Sequence, residues 1–244
     1  FANFELVWEH LKYQEAFTNS MLLTIMVSLL QLISCTFIGY GLARFNFRGQ
    51  GLLFGIVIFM LLVPPQVIMI PLYLNFHYFN IFGLLPGNGL NLLGSFWPFL
   101  LLSITGTGLK NGLFIYIMLQ FFRGMPRALE ESAYVDGAGP FKTFFKVMLP
   151  GAVPAMVIVF LFSFVWQWND DYLVSIFMGN QTLLANTLAG LSQSVTQNRL
   201  DITGQYLSML NNTGSLLFIA PLLILYSFMQ KYFVESVERT GLVG

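Results

Sequence analysis

Five long apolar runs, almost free of charge, set the pattern of this 244-residue chain, and the segments between them hold nearly all of its charged residues. The runs extend from Ser20 to Ala43 and from Leu52 to Leu74, lie between Leu92 and Phe122 and between Gly151 and Phe177, and end with Ser215 to Tyr232. A helix crosses the hydrocarbon layer with about 20 apolar residues, so each run is long enough to span. Within a run the apolar residues are continuous. A membrane barrel would instead alternate apolar and polar residues along short strands, so the pattern predicts helices. The expected fold class is therefore all-α, a polytopic helical membrane protein with five spans.

Composition strengthens this reading. The chain is 56% hydrophobic and 9% charged, with a mean hydropathy of +0.72, whereas soluble domains carry about 25% charge. One soluble core of this length cannot hide that much apolar surface, so the excess is expected to face lipid. The net charge is zero and there are no basic runs, which argues against a nucleic-acid partner. Cys35 is the single cysteine. It excludes an intrachain disulfide, a zinc cluster or a redox pair, and reads as a small packing residue.

The basic residues orient the spans. Arg44 and Arg48 follow the first run, Arg123, Arg127, Lys142 and Lys146 lie between the third and fourth, and Lys231 and Arg239 close the chain. The intervening segments 75–91 and 179–214 contain only Arg199. The positive-inside rule places the three basic segments in the cytoplasm, including a loop at 123–149 and a tail at 233–244. Residues 1–19, with Glu5, Glu9 and Glu15 against Lys12, then lie outside, yet they show no signal-peptide pattern. The expectation is an upstream helix in the native chain, giving six spans and both ends in the cytoplasm.

Pro64, Pro65 and Pro71 fall within the second run, where each removes a backbone donor and bends the helix. The third run is too long for one simple crossing and is interrupted at Gly106, Gly108 and Gly112, with Lys110 and Asn111 between them. Two readings stand for Lys110. It lines a pathway beside a broken helix, or the membrane helix starts near Leu109 and the amine sits at the outer interface in water.

The cytoplasmic loop reads as two short helices. Pro126 suits a first turn, and Glu130 and Glu131 favour the positive end of the helix dipole. Gly137 and Gly139 can supply a left-handed stop, and Pro140 can open the next helix. Phe141, Phe144, Phe145 and Met148 recur at helical spacing, with Lys142 and Lys146 on a neighbouring face.

Within this loop, Glu131-Ser132-Ala133, then Gly137, then nine residues to Val147-Met148-Leu149-Pro150 resemble the E-A-A-x-x-x-G-x9-I-x-L-P motif of bacterial ABC import permeases. Ser132 and Val147 are its mild departures. Glu130 to Ala138, Ala43-Arg44-Phe45, Ile70-Pro71-Leu72-Tyr73, Trp168-Asn169-Asp170, Tyr232-Phe233-Val234-Glu235 and Thr240 to Gly244 are similar to the carbohydrate-uptake group of that family. The stretch from Gly87 to Gly112 departs from it.

The resemblance implies the fold of the transmembrane domain of a type I ABC importer in the bacterial cytoplasmic membrane, with residues 1–244 as one permease domain. It implies two permease subunits, this one and a paralogue, forming the pathway. Two cytoplasmic ATPase subunits and an extracytoplasmic sugar-binding protein, facing the outer loop 180–205, are implied too. The segment Leu129 to Gly139 would dock in a groove of the ATPase, with Glu131 and Asp136 as polar contacts and Gly137 permitting a close turn. ATP-driven closure would then move this helix as a lever.

No cofactor or metal is expected on this chain, and ATP and its magnesium belong to the partner. There is no G-x-x-x-x-G-K-[ST] loop, and Gly106 to Gly112 has the wrong spacing for one. For the sugar, Trp166, Gln167, Trp168, Asn169 and Asp170 offer aromatic faces and hydrogen-bonding groups, although an interfacial aromatic belt would look the same. Lys110 and Asn111 are the other candidates for the substrate path. Three alternatives stand beside a sugar permease. An ion-coupled transporter would need ionisable residues within several spans. An intramembrane enzyme would need a catalytic constellation that His10, His77 and the acidic residues do not form. A permease for another solute keeps the architecture and changes the cargo.

Overall fold

The computed structural model describes residues 2–80, 89–108, 110–179, 181–198 and 203–241, and helices dominate it. Among the described residues, strand-like pairing is confined to one antiparallel bridge between Phe79 and Leu90. A short helix, α1 (Ala2–His10), leads through Lys12, whose φ is 46°, into α2 (Tyr13–Arg44).

Helix α2 runs unbroken for 32 residues and contains the first apolar run. Its faces are inverted relative to a soluble helix. Thr24, Ser28, Gln31, Ser34 and Cys35 are buried, whereas Leu22, Ile25, Leu29, Ile33 and Phe37 are exposed. Small and hydrogen-bonding side chains at helix interfaces, with large apolar ones outside, are what helix packing in lipid favours. Cys35 is a packing residue on the buried face, as expected.

The second run is two helices, α3 (Gln50–Leu62) and α4 (Pro65–His77), bent by 106°. The N–H of Val63 closes α3 on the carbonyl of Phe59 at 3.1 Å. Pro64 then offers no donor, and Pro65 falls where a helix start tolerates its missing N–H. Pro71 stays within α4. The third run is cut into α5 (Trp97–Ile104) and α6 (Asn111–Gly124). The interruption expected near Gly106 and Gly108 is seen at residues 105–108 and 110, while Gly112 belongs to α6.

The loop that follows carries α7 (Ala128–Val135), α8 (Pro140–Thr143), a π-helical turn over Phe144–Met148 and α9 (Leu149–Gly151). Beyond a 72° bend at Ala152, the fourth run forms α10 (Val153–Trp168) and α11 (Asp171–Met178). The outer segment is helical too, with α12 (Leu184–Ala189) and α13 (Leu191–Asn198), before α14 (Gly204–Gly241) takes up the fifth run. Among the described residues, helix α2 and residues 204–230 of α14 are each long and apolar enough to cross a membrane, and the number rises to four if each of the two bent pairs counts as one span. The third run, in helices of 8 and 14 residues, falls outside that count because its interruption leaves neither piece long enough.

The chain folds as two compact units. One comprises residues 1–26, 71–98 and 164–229. It is held by buried Val7, Leu11, Phe177, Leu184, Leu191, Val195 and Leu210. The hydroxyl of Tyr13 donates to the carbonyl of Leu217 at 3.0 Å, and Asn19 Nδ2 to that of Thr182 at 3.0 Å. The other comprises residues 27–70, 99–163 and 230–244. Phe114, Met118, Leu119, Phe122, Phe144 and Met148 fill its interior. There α2 and α6 approach so closely at Gly39 that a Cβ would lie 2.7 Å from Cβ of Met118 and 2.9 Å from the Leu119 nitrogen. Only glycine fits.

Candidate functional site

The loop segment is built by short-range rules. Arg127 and the two glutamates open α7, the acidic pair lying in its first turn where the dipole favours negative charge. At the other end, Gly137 takes φ +77°, a left-handed conformation that costs other residues about 1–2 kcal/mol. The N–H of Ala138 returns to the carbonyl of Ala133 at 2.9 Å, and that of Gly137 to Tyr134 at 3.0 Å. Gly139 is extended, with φ −76°, so the left-handed stop comes from Gly137 and not from both glycines. Pro140 opens α8 as expected. Leu149 and Pro150 form α9 directly before the 72° bend.

The two adjacent carboxylates point opposite ways. Glu130 is buried, accepts the hydroxyl proton of Tyr40 at 2.9 Å, and lies 3.4 Å from Nε of Arg44. Arg44 also donates through Nη2 to the carbonyl of Met125 at 2.6 Å. Tyr40 packs against Phe122 and Phe144, with ring centroids at 5.2 and 4.6 Å. Glu130, which lies within the segment expected to dock, thus ties α7 to the end of α2. Glu131, Ser132, Asp136, Gly137 and Gly139 are exposed, Ala138 is half-buried, and Ala133 is buried beneath α7. Around the exposed carboxylates lie Leu129, Tyr134, Val135 and Phe141, the last two 87% and 80% exposed. This is an apolar knob edged with negative charge.

The substrate-path candidates separate between the two units. In the second unit, Asn111 is fully buried and knots three segments together. Its Oδ1 accepts from Gln31 Nε2 at 3.0 Å, and its Nδ2 donates to the Ser103 carbonyl at 3.4 Å. The Ser163 hydroxyl donates to Gln31 Oε1, and Ser34 donates to the Ser103 carbonyl at 2.6 Å. Lys110 is exposed, directly before the start of α6. Leu109 lies outside the described residues.

In the first unit, Trp168 is buried, its Nε1 donating to the Phe218 carbonyl at 3.2 Å. Phe164 stacks on it at 6.0 Å, and Phe17 and Phe218 pack around it at 6.1 and 5.9 Å. Its ring is neither an open stacking face nor part of a surface belt. Trp166 is half-buried, and Gln167 is buried with no hydrogen-bond partner for Nε2 among the described residues. Asn169 is exposed and donates to the Val165 carbonyl at 2.7 Å, while Asp170 caps α11 by accepting from the Leu173 N–H at 2.9 Å.

Sequence reasoning missed Tyr40 and Arg44 as partners of Glu130, and Gln31 and Ser163 as partners of Asn111. Arg44 carried a signal as part of the Ala43-Arg44-Phe45 triplet. The others are polar residues within apolar runs, which is itself a sign of helix contact.

The family model of binding-protein-dependent transport system inner membrane components matches residues 35–239. The alpha-glucoside transport system permease protein AglG of Rhizobium meliloti is 29% identical over 94% of this chain, and the match covers 56% of that protein's length. The arabinooligosaccharides transport system permease protein AraQ of Bacillus subtilis is 30% identical over 95% of this chain and 74% of its own. Among solved structures, a bacterial ABC transporter involved in the import of the acidic polysaccharide alginate superposes with a TM-score of 0.72. That match has 21% identity and covers 96% of this chain and 79% of the other.

Proposed function

Because the chain belongs to the family of binding-protein-dependent transport system inner membrane components, we propose that it is one permease subunit of an ABC importer for a sugar or oligosaccharide. In this reading it crosses the bacterial cytoplasmic membrane several times and forms half of the pathway, a paralogous permease forming the other half. ATP and magnesium bind to cytoplasmic ATPase subunits, and a sugar-binding protein delivers the cargo at the outer segment 180–205.

The observation that carries the coupling role is the arrangement of α7. Outward, Leu129, Tyr134, Val135 and Phe141 form an apolar knob suited to a groove in the ATPase. Glu131 and Asp136 stand at its edge for charge-assisted hydrogen bonds. Inward, Glu130 is fixed to Tyr40 and Arg44. A displacement of α7 by the closing ATPase pair therefore pulls on the end of α2 through a buried ion pair as well as along the backbone. Moving an element as a rigid body is how packed helices change state, because their interfaces switch between discrete arrangements. The sugar class rests on the relatives, two of whose names specify glucosides or arabinooligosaccharides. Buried Gln167 is the residue of the Trp166–Asp170 group best placed to offer a polar contact within its own unit.

The experiment has two steps. Affinity purification from mild detergent should recover the chain with an ATPase subunit and a second permease in fixed proportion. In that complex, Gly137→Asp should leave membrane insertion intact but uncouple uptake from ATP hydrolysis. Recovery of the chain alone, or normal coupled uptake in the variant, would sink the proposal.

A further inference from the structure

We infer that a second site on this chain binds the phosphate group of an anionic phospholipid. In the unit formed by residues 27–70, 99–163 and 230–244, a cavity of about 440 Å³ opens between the end of α2, the start of α3, the end of α6 and the loop before α7. Arg44, Arg123 and Arg127 line it together with Asn46, Gln50 and Phe54, and among the described residues no acidic one does. Glu130 sits against Arg44 alone; among the described residues, no carboxylate is within ion-pair distance of Arg123 or Arg127.

Two of the three guanidinium groups are already positioned. Arg44 is held by the Met125 carbonyl and by Glu130. Arg123 lies over the ring of Phe54, 5.5 Å from its centroid. Guanidinium forks match phosphate oxygens in pairs, and groups fixed beforehand lose less freedom on binding. Asn46 and Gln50 add neutral hydrogen-bonding capacity at the same mouth. The start of the 13-residue helix α3 at Gln50 adds the positive end of its dipole.

The same chemistry would accept free phosphate, but the surroundings favour a lipid. The cavity lies between two segments that the distribution of basic residues places at the cytoplasmic interface, on the leaflet where anionic lipids concentrate. Exposed Phe45 and Phe47 flank it, and exposed Leu52 and Leu53 continue from it along α3. Aromatic rings at headgroup level and an apolar face beyond them suit a molecule with a phosphate head and acyl chains. This inference needs the chain to lie in a membrane in that orientation; it does not depend on the cargo or on docking to an ATPase.

The test is native mass spectrometry of the detergent-purified full chain, with whatever subunits accompany it, equilibrated with phosphatidylglycerol and phosphatidylcholine. The native chain should retain phosphatidylglycerol preferentially. Arg123→Gln with Arg127→Gln should lower that preference by about fivefold per arginine. Lys142→Gln with Lys146→Gln, which removes the same charge outside the cavity, should lower it by clearly less. Equal retention of the two lipids, an unchanged preference in the arginine variant, or an equal loss in the lysine variant overturns the site. A separate arm measures thermal stabilisation. Stabilisation by inorganic phosphate but not by phosphatidylglycerol overturns the lipid as the source. If the arginine variant keeps its lipid preference but loses accompanying subunits, the arginines form a protein contact and the inference also fails.

Discussion

Glu130 and Glu131 are chemically identical neighbours, and the structure assigns them opposite tasks. Glu130 loses solvent and gains Tyr40 and Arg44; Glu131 remains exposed. Breaking a buried pair by removing one partner costs about 3–5 kcal/mol, because the remaining charge is left buried and uncompensated. Arg44→Ala should therefore destabilise the protein by about that amount in detergent unfolding measurements. Glu131→Gln should shift stability by less than about 0.5 kcal/mol, as surface substitutions usually do, and instead weaken ATP-coupled uptake. Equal destabilisation by the two variants would contradict the assignment. Trp168 gives a second contrast. Replacing it with Phe removes the bond to the Phe218 carbonyl, expected to cost about 1 kcal/mol, while leaving the apparent affinity for sugar unchanged. A loss of uptake affinity with full stability would return Trp168 to the substrate path. The motif pointed to Glu131 as the outward contact but could not show what holds Glu130, because its partner Tyr40 lies 90 positions away in the chain.

At the level of elements, local chemistry was the legible part. Adjacent prolines at 64 and 65 announced the break between α3 and α4, Gly137 announced the end of α7, and Pro140 the start of α8. Less legible was how far the runs would be cut. The bend at Ala152 and the separation of α10 from α11 follow no proline at the break itself, and Asp170 stabilises the second by capping α11. The buried polar face of α2 was visible as scattered Thr, Ser and Gln, but its partners on α6 and α10 were not, since pairing across helices has no sequence period. The knot between Gln31 and Asn111 should be worth about 0.6 kcal/mol, the average measured for hydrogen bonds between helices in membranes, and no more than about 1.7. A double-mutant cycle with Gln31→Leu and Asn111→Leu, read by unfolding in detergent, checks this. Coupling near zero would mean the two amides are held by other contacts. Close helix approach at Gly39 carries its own expectation. Gly39→Leu should sharply reduce folded protein in the membrane, because the Cβ alone already meets Met118 and Leu119, whereas Gly41→Ala, with open space at its Cβ position, should accumulate normally.

For the whole molecule, class and family were readable early because lipid exposure and the loop motif are both linear features of the chain. What the linear pattern could not supply is the division of α7 into an outward knob and an inward anchor, and that division is the centre of the functional account. Cross-linking tests it most directly. A cysteine at Val135, 87% exposed on the knob, is compared with one at exposed Gln193 in the outer segment, each in the full chain with Cys35 replaced by serine. Treating membranes with a short heterobifunctional reagent that joins a thiol to a nearby amine should link the Val135 variant, and not the Gln193 variant, to an ATPase subunit identified by mass. The adduct should change in yield when ATP is added, as docking tightens or loosens. No ATPase adduct at Val135, or one formed equally from Gln193, would contradict the account.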